Sequence, residues 1–283
     1  MRLSRRSERL LRIGTGATLA FIYVPLIVIV IYAFNASDTL RWPPTGLTTD
    51  WFGKAVDNQG ARDAFLLSVQ AGALATMIAL VLGTLASLAV ARHRFFGRET
   101  ISFLVILPIA LPGIVTGVAL NTSFTQVLGV DLSLFTIVVG HATFCIVVVY
   151  NNVVARMRRL SGSLEEASAD LGATPWVTFR RITLPNLRTA LVAGALLAFG
   201  LSFDEIIVTT FTAGTGDQTL PLWIFANFSR PNQLPIVNVV AVLVILISIV
   251  PVYLANRLTR DEGGPGVARG RGTAVAAEGT TAP

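Results

Sequence analysis

Apolar residues in this chain fall in long runs, without the spacing of a half-buried helix or strand. Six stretches approach or exceed the roughly 20 residues needed to cross a bilayer core: Ile13–Phe34, Ala64–Ala91, Ile101–Phe124, Leu132–Val154, Leu187–Thr212 and Val237–Asn256. The pattern predicts an all-α integral membrane protein with about six transmembrane helices. The first run follows five arginines but is too long for the roughly 7–15-residue core of a secretory signal, so it reads as an uncleaved span.

Composition supports this: 53% of the 283 residues are apolar and 13% charged, about half the charged share of an ordinary globular domain. The net charge of +6 does not point to nucleic acid, because the basic residues are scattered between spans and form no face with interleaved aromatics. They set orientation. One set of segments holds Arg2, Arg5, Arg6, Arg9 and Arg12, then Arg92, Arg94 and Arg98, then Arg156, Arg158, Arg159, Arg180, Arg181 and Arg188, then Arg257 and Arg260. The other holds Arg41, Lys54, Arg62 and Arg230. The bias places both termini in the cytoplasm.

The domain reading is a basic N-terminus (1–12), a transmembrane unit (13–260) with a loop at 161–186, and a Gly/Ala/Thr-rich tail (261–283) expected to be disordered. On the outer side, Trp42, Trp51 and Phe52 read as interfacial anchors. In the third span, Pro108, Pro112 and Gly113 predict a kink that either lines a pathway or packs against neighbouring helices. Cys145, the single cysteine, reads as a small packing residue.

The loop between the fourth and fifth spans carries its own folding signals. Ser163 with Glu166 has the spacing of a capping box. Gly172 stands where a left-handed residue ends a helix. Thr174-Pro175 restarts one, and Leu184-Pro185 is expected to stop it after Ile182. The expectation is a helix, a sharp turn and a second helix, either projecting to a partner or lying on the lipid surface.

Glu166-Ala167-Ser168, three residues, Gly172, nine residues and Ile182-Thr183-Leu184-Pro185 resemble, at every spacing, the EAA loop of ABC-importer permeases. Ser168 is the one departure, replacing a small residue by a small one. The resemblance implies a type I importer permease whose loop forms a coupling-helix hairpin, with Glu166, Ala167, Asp170 and Gly172 meeting a separate ATPase. Stretches around Asn35, His141, Asp204 and Leu220 resemble the spermidine/putrescine permeases. That implies two ATP-binding subunits, a second and related permease chain, an external solute-binding protein, and polyamine import by alternating access. Permeases for other small organic solutes share some of these stretches.

Asp204 and Glu205 fall within the fifth apolar run, where carboxylates are costly and commonly face a cavity, a partner or an ion. Either could line the path of a cationic solute, although adjacent helix positions diverge by about 100°. His141 has no second ligand at metal spacing and reads as an interhelical hydrogen-bonding residue; no metal or cofactor is expected. A phosphate-cradling G-x-x-x-x-G-K-[ST] is absent, since the sole lysine, Lys54, lies in Gly53-Lys54-Ala55. The chain is therefore expected to be a non-catalytic subunit, with ATP bound by its partners. A self-sufficient secondary transporter would require inverted repeats, and an intramembrane enzyme a catalytic constellation; neither is visible.

Overall fold

The computed structural model describes residues 4–39 and 41–260, with side chains through residue 249. The tail expected to be disordered, 261–283, lies outside the described residues. Among the described residues, five helices are long and apolar enough to cross a membrane, and a bent helix pair brings the number to six when it is counted as one span.

Helix α1 (Arg5–Ala33) starts on a cap in which Ser4 Oγ accepts the Ser7 amide at 3.2 Å. It packs chiefly on the last helix and is otherwise exposed. A short α2 (Asp50–Asp57) leads through Asn58, which caps by accepting the Ala61 amide, into α3 (Gln59–Arg92). Then come α4 (Arg98–Ala110), α5 (Gly113–Thr122), α6 (Leu134–Met157), α7 (Ser163–Asp170), α8 (Pro175–Thr178), α9 (Leu184–Phe203), α10 (Ile207–Thr212), α11 (Leu220–Phe228) and α12 (Leu234–Arg260).

At the centre, α3, α6 and α9 pack on one another. Lipid tails are as apolar as leucine, so close backbone approach and buried polar contacts drive this association. The inward side of α3 is accordingly small: Ala64, Ser68, Ala71, Ala75, Ala79, Gly83 and Ser87 are all buried. A Cβ at Gly83 would sit 3.0 Å from the Ile146 carbonyl oxygen and from Val149 Cβ, so glycine is what admits α6 this closely. One turn on, Ser87 Oγ reaches the Tyr150 carbonyl at 3.1 Å.

The third span is broken. Helices α4 and α5 meet at 103° across Leu111-Pro112. Pro112 has no amide to donate and forces its predecessor out of the helical region; Leu111 is extended, with φ −82° and ψ 143°. Beyond α5 the chain makes one π-helical turn, Ser123–Val127.

The fifth span also departs from expectation. It does not run unbroken to Thr212 but ends at Phe203, and α10 begins anew at Ile207. A second correction concerns Pro185. Helix α8 passes through a π-helical turn, Phe179–Thr183, straight into α9. Pro185 follows that π-helical turn directly instead of stopping the helix, and Asn186 Nδ2 donates to the Ile182 carbonyl at 2.8 Å.

The capping box at Ser163 does not form. Gly162 is the cap, its carbonyl accepts the Glu165 and Glu166 amides, and Ser161 Oγ accepts the Ser163 amide. A box-like cap occurs instead at the start of α6, where the Ser133 amide donates to Thr136 Oγ1 at 2.8 Å. Of the three aromatics read as interfacial anchors only Trp42 is well exposed, at 72%. The Trp51 indole donates to the Asn35 carbonyl at 2.9 Å, and Phe52 packs on Phe34, so both tie the α1–α2 connection to the core.

Candidate functional site

Two regions hold the residues singled out by the sequence. The first is the α7–α8 hairpin. Helix α7 ends in a Schellman arrangement: the Ala173 amide bonds the Ser168 carbonyl at 3.1 Å and the Gly172 amide bonds that of Ala169 at 2.8 Å. Gly172 adopts φ +78°, a left-handed conformation that glycine adopts without strain. Ser168 does more than fill a small site. It is buried, and its hydroxyl lies 2.9 Å from that of Thr178, joining the two arms.

Glu165, next to the residue emphasised by the motif, anchors the hairpin to the bundle. Arg92, the last residue of α3, places Nη2 3.2 Å from Glu165 Oε1 as a donor, with Nε 2.8 Å from Oε2 but out of line for a hydrogen bond. Thr183 in the π-helical turn donates to the same carboxylate at 2.9 Å. Three elements thus meet on one side chain. Its signal in the sequence was only a charge pair 73 residues apart, which no local spacing reveals.

The opposite face of the hairpin is bare. Glu166, Ala167, Asp170 and Gly172 are all exposed. Leu171 at the tip is 89% exposed and Trp176 66%, and Trp176 stacks on Phe179. This is a short apolar prow with carboxylates behind it, held from below and free above.

The second region surrounds the two broken spans. Helices α5 and α10 lie side by side through the stripe Gly113, Gly117 and Asn121. A Cβ at Gly117 would fall 2.6 Å from Phe211 Cδ2, and one at Gly113 3.3 Å from Ile207 Cγ2. Asn121 Nδ2 donates to the Phe211 carbonyl at 2.7 Å, and Thr136 Oγ1 to that of Thr212 at 2.7 Å. Carbonyls left open at the end of the short α10 are thereby satisfied, as burial in a membrane requires.

His141 braces the break itself. Fully buried on α6, it has Nδ1 2.7 Å from Ser202 Oγ and Nε2 2.8 Å from Thr209 Oγ1. The Thr209 hydroxyl donates to the Glu205 carbonyl. A hydroxyl carries one proton, so the set closes with Nε2–H donating to Thr209 and Ser202 donating to Nδ1. The interhelical role expected of His141 is what the geometry gives.

The break separates Asp204 from Glu205. Glu205 Oε1 accepts the Val208 amide at 2.8 Å and so caps α10. Asp204 closes α9 with its backbone, while its side chain is exposed in an open cavity of about 440 Å³ bounded by α9, α11 and α12. Helix α11, which the sequence did not mark as a helix, is held there by the Leu220 amide donating to Ser68 Oγ at 2.8 Å.

Together, the six apolar spans, the exposed hairpin and the paired broken helices describe the membrane-embedded subunit of a transport system. The chain belongs to the family described as binding-protein-dependent transport system inner membrane component, whose model matches residues 79–261. It is 34% identical over 252 residues to the putrescine transport system permease protein PotI of Escherichia coli (strain K12), covering 85% of this chain and 89% of that protein. It is 31% identical over 256 residues to the spermidine/putrescine transport system permease protein PotC of the same strain, covering 90% and 96%. The fold matches a chain of a bacterial ABC transporter involved in import of the acidic polysaccharide alginate (TM-score 0.66, 16% identity, 92% of this chain and 99% of that one). It also matches the MetNI methionine ABC transporter in an inward-facing conformation (TM-score 0.59, 18% identity, 76% and 99%).

Proposed function

We propose that this chain is the polyamine-conducting permease subunit of an ATP-driven importer, coupled to separate ATPase subunits through the tip of the α7–α8 hairpin. One observation carries the coupling: Glu166, Ala167, Asp170, Leu171 and Gly172 are exposed together on a hairpin whose other face is anchored to α3. A lipid-lying hairpin would bury Leu171 and Trp176 without needing a carboxylate anchor behind them. Supported by the relatives' names, the cargo is a putrescine- or spermidine-like polycation.

In this reading both termini and the hairpin face the cytoplasm, in agreement with the arginine bias. Two ATP-binding subunits supply hydrolysis, a second related permease chain completes the path, and an extracytoplasmic binding protein delivers the solute. Closure of the ATPases on ATP pushes the hairpin. The push passes through Glu165 to Arg92 at the foot of α3, and through Thr183 into the helix that becomes α9. At the other end α9 meets the Asp204–Ile206 break, so motion at the hairpin is delivered where the paired α5 and α10 can rearrange. Asp204 is the carboxylate available to the path, since Glu205 is engaged at α10.

The test is reconstitution of this chain with its ATPase, partner permease and binding protein in proteoliposomes. ATP-dependent uptake of labelled putrescine or spermidine is the expected result. ATP-dependent uptake of a neutral or anionic solute, with none of the amines, overturns the cargo assignment and leaves the coupling assignment standing.

A further inference from the structure

We infer that the turn joining α3 to α4 is a binding site for an anionic phospholipid, with Arg94 and Arg98 on the headgroup phosphate and Phe96 against the acyl chains. None of these residues belongs to the proposed cargo path or to the tip of the α7–α8 hairpin.

Residues 93–97 connect the two helices, and Gly97, at φ +84°, turns the chain into α4. Phe96 is fully exposed and Phe95 partly so. An open cavity of about 700 Å³ lies against the turn, with Arg94, Phe95, Phe96, Arg98 and Glu99 in its wall. Arg92, just before the turn, is engaged with Glu165. Arg94 and Arg98 are not so engaged: among the described residues, neither side chain has a hydrogen-bond or ion-pair partner, Glu99 included.

Two unpaired guanidiniums beside a bare phenyl ring fit one occupant. Guanidinium groups hold phosphate oxygens in paired, charge-assisted hydrogen bonds. A soluble phosphate would satisfy them but leave Phe96 in water, whereas a lipid brings the phosphate and the chain that covers the ring. The apolar surface continues on both helices. Leu85 on α3 and Ile101, Phe103 and Leu104 on α4 are exposed, and α4 has no buried residue. The turn stands where the apolar run of each span gives way to charge, which is the depth of the headgroups. At that depth, basic groups together with Phe or Leu bind anionic lipid by adding charge attraction to apolar burial. An acidic protein surface could meet the arginines from the water, but the apolar face running on from Phe96 lies along spans, within the bilayer.

Both sides of the turn are held in place. Tyr150 on α6 donates to Ser102 Oγ at 3.0 Å, tying the start of α4 to the bundle. The Arg92–Glu165 pair holds the end of α3.

Cys145 is the only cysteine and is buried, which permits a direct test. In a Cys145→Ala background, Thr100→Cys carries a bimane fluorophore, and the complete importer is reconstituted in vesicles. Quenching by nitroxide-labelled phosphatidylglycerol or phosphatidylcholine gives the relative affinity of the two lipids at the turn. Phosphatidylglycerol should be favoured roughly tenfold, from the attraction of two basic groups at the membrane surface. Arg94→Gln combined with Arg98→Gln should bring the ratio close to one. Equal affinities in the wild type, or a preference that survives the double substitution, overturn the site. Displacement of the quenching lipid by glycerol 3-phosphate overturns it in favour of a soluble anion. A preference seen in the permease pair alone and lost in the complete importer overturns it in favour of protein docking.

Native mass spectrometry of the importer with Cys145 intact gives an independent readout. Fewer phosphatidylglycerol molecules should be retained by the double arginine variant, and fewer by Phe96→Ser, than by the wild type. Equal retention in all three overturns the site.

Discussion

Phe211 occupies the notch that Gly117 leaves: a Cβ at position 117 would lie 2.6 Å from Phe211 Cδ2 and 3.1 Å from Cγ. Two helices that each begin after a break are thus interlocked through one ring and one missing side chain. Gly117→Ala is expected to destabilise the protein by about 1–3 kcal/mol, the usual cost of forcing atoms into a filled site. Shortening the ring in Phe211→Leu should return part of that loss. Thermal unfolding of the two single variants and the double variant in detergent gives the coupling, and strict additivity would contradict the interlock.

His141→Ala removes one side chain and strands the buried Ser202 hydroxyl, while Thr209 still donates to the Glu205 carbonyl. A buried group left without a partner costs about 1–3 kcal/mol, so the variant should lose more stability than cavity formation alone explains. Adding Ser202→Ala to His141→Ala should restore part of the stability, because the stranded group is gone. A melting series distinguishes the two accounts: no recovery in the double variant speaks against the bridge.

Glu165→Ala is expected to loosen the link between hairpin and bundle more than it unfolds the protein. Both partners of the Arg92 pair are 25% exposed, which holds the ion pair to about 1 kcal/mol or less. The functional effect should be larger: fewer solutes imported per ATP hydrolysed, measured as paired uptake and phosphate release in proteoliposomes. An unchanged ratio would separate the Glu165 contacts from force transmission.

A Cβ added at Gly172 would meet nothing within 4 Å, yet the residue carries φ +78°. Gly172→Ala should therefore cost about 1–2 kcal/mol from left-handed backbone alone, with no internal clash. Gly172→Trp points its bulk outward and should abolish ATP-coupled uptake while insertion, followed by membrane fractionation, persists. Undiminished uptake would remove the hairpin tip from the coupling path.

Much of this was legible in the sequence because membrane spans announce themselves by length, and the hairpin by Gly172 and Thr174-Pro175. The Pro112 break was legible as a kink, since proline acts through its own backbone. The break after Phe203 was not: neither glycine nor proline marks it, and it is stabilised by His141, 61 and 68 residues away from Ser202 and Thr209. Pro185 misled for the same reason in reverse, because the π-helical turn before it re-spaces the carbonyls that a proline would otherwise strand. Ser161 displaced Ser163 as the side chain serving the start of α7, two positions that share the same chemistry and differ only in backbone geometry. Asp204 and Glu205 were read together as carboxylates inside the fifth apolar run, but they follow the end of α9, and their division of labour depends on where the helix stops.

The Schellman closure at Gly172 and the Ser168–Thr178 bridge have a thermodynamic consequence. A recognition element that is already folded when free surrenders little conformational entropy on docking, unlike a segment that must order as it binds. Association at the hairpin should then show a heat-capacity change that reflects only the surface covered at its tip, without the larger signature of coupled folding.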